Sequence, residues 1–235
     1  MGADQTVEAA KAKIAAIQAP AVAAGTGELR VYLMVNDLRP QFAAFMGTPL
    51  RARGYPPLAG QHALIIEVAP GLMIERVLDL ALKSNPDLEP GILFVERQFG
   101  ILEIHGDDLA MLKRAGDAIL QGIRLREGDQ LRPKVLYTDI ISNVSDQQAV
   151  IINRNRQGSM IMPGETLLVV ELMPALYATI AANEAERAAP GVTLVDVQVI
   201  GAAGRLYMSG KCDVVAAAKA RIEAVLQSIP GREVR

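Results

Sequence analysis

Tryptophan is absent from this 235-residue chain, aromatic residues make up only 4% of it, and it holds one cysteine and two histidines. With so few aromatics the core has to be built from Ala, Val, Ile and Leu, which suits tight packing of helices on sheets. The single Cys212 excludes an internal disulfide. His62 and His105 stand at no zinc-ligand spacing from Cys212 or from a pair of carboxylates, so neither a metal nor a cofactor is expected. Charge of neither sign dominates: the formal net charge is -2 and the isoelectric point about 5.8, which leaves no basic field for nucleic acid. No run reaches the roughly 20 apolar residues of a membrane-spanning helix, so a membrane is not an expected partner either. The first residues do not read as a charged-then-apolar leader, and the cytoplasm is the expected compartment.

Catalytic machinery is equally sparse. Gly158-Ser159-Met160 lacks the second glycine and the strand-to-helix setting of a nucleophile elbow, and Ser159 reads as a turn residue. Gly201-Ala202-Ala203-Gly204 follows a strand, but another strand comes next, so no helix N-terminus gathers backbone donors for a phosphate. That stretch reads as a hairpin of small residues. Cys212 precedes a helix and reads as a small buried thiol. An enzyme is not expected.

What the chain does have is the same module twice. Leu64, Glu67, Pro70, Leu72, Ala81, Pro86, Val95, Gly100, Leu102 and Gly106 recur, 104 residues on, as Leu168, Glu171, Pro174, Leu176, Ala185, Pro190, Val199, Gly204, Leu206 and Gly210. Repeated Pro and Gly mean repeated turns and helix starts, hence a repeated fold. At 51% hydrophobic residues and a mean hydropathy of +0.23, two modules of ordinary domain size each have enough apolar side chain for a core. The expected division is an Ala-rich extension over 1–27, a first module over 28–129 and a second over 130–235. In the extension, Val7, Ala10, Ile14 and Ile17 fit one face of a short helix, and the composition fits a mobile tail.

Each module reads as an opening strand (31–35; 135–141), an apolar strand (63–68; 167–172), a helix (72–84; ending at 188), two strands around a glycine loop (92–95 and 101–105; 192–199 and 205–209) and a second helix. Met73, Val77, Leu80 and Ala81 form the first helix stripe. Leu109, Leu112, Gly116, Ile119 and Ile123 form the second, repeated by Val215, Ala218, Ile222, Val225 and Ile229. Asp107 or Asp108 is the expected cap in the first module and Asp213 in the second. Arg154, Asn155, Arg156 and Gln157, between Ile151-Ile152 and Met160-Ile161-Met162, fit the polar tip of a hairpin. The sum is α+β, two small sheets each covered by helices.

The runs ALIIEV (63–68), DLALK (79–83) and the strand, glycine loop and strand around Gly100 resemble a bacterial microcompartment shell domain, and so does the second copy with Glu171, EAER (184–187) and Gly204. In both modules the family's last strand stands first, as in circularly permuted tandem shell proteins. VERQFG (95–100), INRNRQGSMI (152–161), ANEAE (182–186) and GRLYMSGK (204–211) resemble the double-stacking, gated tandem trimers of carboxysomes more narrowly. The resemblance covers about residues 29–229. It implies tandem permuted, ferredoxin-like shell domains and a homotrimer whose six modules make a pseudohexagonal tile. It also implies pairs of stacked trimers, other shell proteins as neighbours, and small metabolites passing a central hole.

Under that resemblance the loops Glu96, Arg97, Gln98, Phe99, Gly100 and Ile200, Gly201, Ala202, Ala203, Gly204 surround the pore, with Glu96 and Arg97 as its gate. Lys83 and Arg187, at matching positions, fall on the tile edge. Arg154, Asn155 and Arg156 fit either a stacked partner or a small anion. A carboxysome is the expected host. The alternatives are a catabolic, aldehyde-handling microcompartment and, in another class, a soluble trimeric metabolite-binding regulator.

Overall fold

A computed structural model describes residues 27–48 and 54–233. The first module runs β1 (Glu28–Val35), α1 (Pro40–Met46), β2 (His62–Ala69), α2 (Met73–Ser84), β3 (Glu89–Glu96), β4 (Phe99–Gly106) and α3 (Leu109–Ile123). The second runs β5 (Lys134–Ile141), α4 (Asp146–Asn155), β6 (Thr166–Met173), α5 (Tyr177–Ala188), β7 (Thr193–Gln198), β8 (Gly204–Gly210) and α6 (Cys212–Ser228). Each forms a four-stranded antiparallel sheet, in the orders β1-β2-β4-β3 and β5-β6-β8-β7. The registers repeat down to their irregularities, with bulges at Leu29/Val31 and Val135/Tyr137 and again at Pro90/Ile92 and Leu194/Asp196. The α+β reading, with one module repeated in tandem, is borne out.

The helices form where apolar residues recur at helical spacing. In α2, Ile74, Val77 and Ala81 are buried, with Met73 and Leu80 partly so. In α3, Leu112, Ala115, Gly116, Ile119 and Ile123 face the sheet, and the Asp108 carboxylate accepts from the Ala110 N–H at 2.7 Å as its cap. Asp213 does not cap α6: it lies in the first turn behind Lys211, whose side chain makes no cap bond. Cys212 is exposed, not buried, because it opens that helix on its outer side. The Ala-rich extension, expected as a mobile tail and holding the helix face of Val7, Ala10, Ile14 and Ile17, falls in residues 1–26, outside the described residues.

Residues 151–162 are not a hairpin. The Ser145 hydroxyl accepts from the Gln148 N–H at 3.3 Å and starts α4, whose last turn holds Arg154 and Asn155. Asn153 then clasps the returning chain, donating to the Ile161 carbonyl at 2.8 Å and accepting its N–H at 3.0 Å. Ser159 lies extended along β7, its N–H on the Leu194 carbonyl.

The modules are not beads on a string. Helix α5 is wedged between its own sheet and the outer face of the first, where Val31, Leu33, Val35, Ala63, Ile65 and Ile101 share one continuous buried cluster with Tyr177, Ala178 and Ala181. Helix α1 adds Phe42, Ala43 and Met46 to the same cluster. Its N-terminus is held from the other module, because the Glu186 carboxylate accepts the N–H groups of Gln41 at 2.9 Å and Phe42 at 3.0 Å. The Tyr177 hydroxyl donates to the Leu131 carbonyl and lies 3.0 Å from Gln130 Oε1. Burial raises its pKa well above the ordinary phenol value.

The repeated Gly100 and Gly204 have a shared steric cause. A Cβ on Gly100 would lie 2.1 Å from the Gly71 carbonyl oxygen, and one on Gly204 would lie 2.2 Å from that of Ala175. The turn into each sheet-covering helix presses on the neighbouring hairpin there. Gly204→Ala should therefore destabilise the chain by about 1–3 kcal/mol, seen as a lowered thermal midpoint; an unchanged midpoint would show that the two backbones are free to separate.

Candidate functional site

Both hairpin tips end at the junction between the modules. Glu96 pairs with Phe99 across β3 and β4, leaving Arg97 and Gln98 as a two-residue turn. Arg97 sits at φ 51, in the left-handed region that favours glycine, and its side chain is 90% exposed. Its Nε lies 3.6 Å from Glu96 Oε1. The base of the turn is held more firmly. The Arg30 guanidinium stacks 3.8 Å over the Phe99 ring, and its Nε donates to Glu67 Oε1 at 2.6 Å. Burial pushes the Glu67 carboxyl up, and the hydrogen bond and charge of Arg30 oppose that rise.

The matching hairpin of the second module is wider. Its strands stop at Gln198 and Gly204, so Val199, Ile200, Gly201, Ala202 and Ala203 make a five-residue loop of small or aliphatic side chains. Gly201 takes φ 128, which its missing Cβ permits. Arg205, at the base, donates to Glu171 at 2.9 Å and to Gln198 at 3.3 Å. The two hairpins meet at one cleft of about 470 Å³, to which Glu96 and Ile200 both contribute, with Phe94, Ile101, Gln157 and Val197 in its walls.

The remaining candidates lie elsewhere. Lys83 is exposed at the end of α2, with Nζ 2.7 Å from Asp79 Oδ1, and its hydrogen bond lowers the Asp79 pKa. Arg187, at the matching position of α5, turns into the junction. It contacts Asp37 Oδ2 at 2.9 Å, Glu184 Oε1 at 3.1 Å and the carbonyls of Asn36 and Asp37. Arg154 and Asn155 are exposed, whereas Arg156 caps α4 and is partly buried, so the three do not converge.

Sequence reasoning missed Arg30, Glu67 and Glu186. The recurrence of Glu67 at Glu171 was the one signal available for the first two, since the strand register matches Arg30, in the bulge of β1, to Leu136 in the bulge of β5. It also missed a buried polar pair on the outer face of the first sheet: Glu103 Oε1 lies 2.9 Å from His105 Nδ1, and burial pushes Glu103 up. Among the described residues no group of His, Cys, Asp and Glu is placed to hold a metal, and no helix is long and apolar enough to cross a membrane.

The CsoS1D N-terminal domain family matches residues 29–129. The carboxysome shell protein CcmP of Synechococcus elongatus is 41% identical over 207 residues, covering 88% of this chain and 95% of that protein. Two solved structures share the whole arrangement. One is the double ringed trimeric shell protein MSM0271 from the RMM microcompartment, 59% identical with a TM-score of 0.85, covering 89% of this chain and all of that one. The other is the fused permuted hexameric shell protein MSM0275 of the same microcompartment, 46% identical with a TM-score of 0.81, covering 86% and 98%. The chain therefore belongs to the carboxysome shell proteins of the CsoS1D and CcmP type, and is a trimeric, tandem-domain shell tile and a structural protein rather than an enzyme.

Proposed function

We propose that three copies close into a six-module ring in which every seam between copies repeats the seam inside the chain, and that the hairpins of all six modules surround a central pore. The carrying observation is an asymmetry between matched residues. Leu176, at the start of α5, is fully buried against the first module, while its counterpart Leu72 is 75% exposed. On the opposing face, Val31 of β1 is fully buried and its register partner in β5, Tyr137, is 54% exposed. One chain thus carries both halves of a second seam, uncovered and at opposite ends, which is the arrangement that closes a ring. Chemistry at these positions is complementary: Ile180 and Leu33 of the inner seam are replaced by Arg76 and Asp139. Burying Leu72 and Tyr137 adds apolar area of the kind that holds obligate oligomers together.

Around that pore Glu96 and Arg97 form the gate. A turn held at Phe99 by Arg30 but carrying an exposed Arg97 in a strained backbone conformation has a fixed base and a movable tip. Turned inward, three Arg97 side chains fill the hole; turned away, the small 201–203 loops leave it wide. Small metabolites are the cargo. Lys83 serves the tile edge, where its exposed amine meets neighbouring tiles, whereas Arg187 holds the seam. Two tiles stack face to face, as the name of MSM0271 supports, and Arg154 and Asn155 offer polar contacts to a facing ring. The carboxysome is the leading host, supported by CcmP and CsoS1D. The 59% identity to MSM0271, a protein of the RMM microcompartment, supports a second reading, the shell of a microcompartment other than the carboxysome. The enzymes that co-purify with the shell decide between the two.

Leu72→Asp should convert trimers to folded monomers, read by light scattering at an unchanged circular dichroism spectrum; persistent trimers would remove the proposed seam. Glu96→Ala combined with Arg97→Ala should leave the ring intact with the hole open in every particle of a cryo-EM reconstruction. A hole that closes in that variant would place the gate elsewhere.

A further inference from the structure

We propose that the exposed apolar side chains of two matched turns, Leu58 in the first module and Met162 in the second, form the surface through which one ring stacks on another. This rests on the stacking reading above and names the residues that carry it.

The two turns are built alike bond for bond. In the first, the Leu58 N–H donates to Gln61 Oε1 at 2.8 Å, the Leu38 N–H to the Gln61 carbonyl at 2.7 Å and the Gly60 N–H to the Leu38 carbonyl at 2.9 Å. In the second, the Met162 N–H donates to Glu165 Oε2 at 2.9 Å, the Val144 N–H to the Glu165 carbonyl at 3.0 Å and the Gly164 N–H to the Val144 carbonyl at 2.8 Å. Gly60 and Gly164 share the left-handed conformation, at φ 90 and 86. Such turns hold the backbone of Leu58 and Met162 in one place, so each apolar side chain is presented at a fixed position.

Both side chains nevertheless point into solvent, Leu58 at 64% and Met162 at 55% exposure, while the residue just before each, Pro57 and Ile161, is buried. The seams do not explain this. The first module already has its seam with the second, and Leu58 stays open beside it. A seam of the same geometry between copies leaves Met162 open in the same way. In the closed ring, Leu58 and Met162 therefore alternate six times on one face of the tile, because the rotation that relates the modules carries one turn onto the next. A closed ring of evenly spaced apolar side chains on fixed turns fits an identical ring laid against it. Residues 1–26 of the chain are the competing occupant.

The test is the mass of the full-length protein in solution. Leu58→Asp with Met162→Asp should halve the mass from a double to a single ring, with the trimer and its thermal midpoint retained; Leu58→Gln with Met162→Gln gives a milder second variant should the first fold poorly. Double rings that persist in the folded variants would overturn this assignment alone. Single rings already in the unsubstituted protein would overturn the stacking reading and this inference together.

Discussion

The burial of helix α5 between two sheets is the constraint on which the rest depends. A helix at the surface of one module needs a single apolar stripe, but α5 buries nine consecutive residues from Tyr177 to Ala185, including Thr179, Asn183 and Glu184. Polar groups tolerate that setting only when paired. Asn183 accepts the Arg39 N–H at 2.8 Å, Glu184 receives Arg187 and Arg221, and the Thr179 hydroxyl donates to the Leu176 carbonyl at 2.6 Å. The bonds that cross between modules, Arg39 to Asn183, Arg187 to Asp37, and Gln41 and Phe42 to Glu186, fix the rotation of one module on the other, and with it the place where the two hairpins meet. In the proposed ring, pore geometry is thus a consequence of seam geometry.

Duplication then leaves a mismatch. Helix α2 has the same position in its module and a similar apolar stripe, yet no sheet covers its outer side. Strand β5 has the register of β1, but Tyr137 and Asp139 are exposed where Val31 and Leu33 are buried. A chain that is complete in its fold is incomplete in its surface, and self-association is the economical resolution, since the geometry that buries α5 already exists in the molecule. Differences between the copies sit where they do not disturb this geometry, at the tips of the hairpins.

The repeated core was legible in the sequence because turn residues and apolar periods are local signals. Gly100 and Gly204, the stripes of α2 and α3, and a cap at Asp107 or Asp108, which the structure assigns to Asp108, all followed from spacing. Helix α1 was not legible: it has only seven residues, and what stabilises it is the carboxylate of Glu186, distant in sequence. Helix α4 carried a signal that went unused, Ser145 and Asp146 at its start, because the apolar residues on either side of the arginines fit a hairpin equally well. Arg187 illustrates the deeper limit. A cation at the end of an amphipathic helix reads as solvated surface or tile edge, and only the approach of the Asn36–Asp37 turn from the other module gives it a different setting. Glu96 and Arg97, proposed as the gate, stood out by contrast between copies, yet the clamp of Arg30 on Phe99 needed the fold to bring a strand start over a hairpin base.

The central claim is that the inner seam is the template for the seam between copies. A cryo-EM reconstruction of the assembled protein, resolved well enough to place side chains, tests it directly. The account predicts a three-fold ring in which Leu72 of each copy is buried against the neighbour's sheet face bearing Tyr137, as Leu176 is buried within the chain. A ring in which Leu72 faces solvent, or in which Tyr137 meets a surface other than the neighbouring first module, would contradict it.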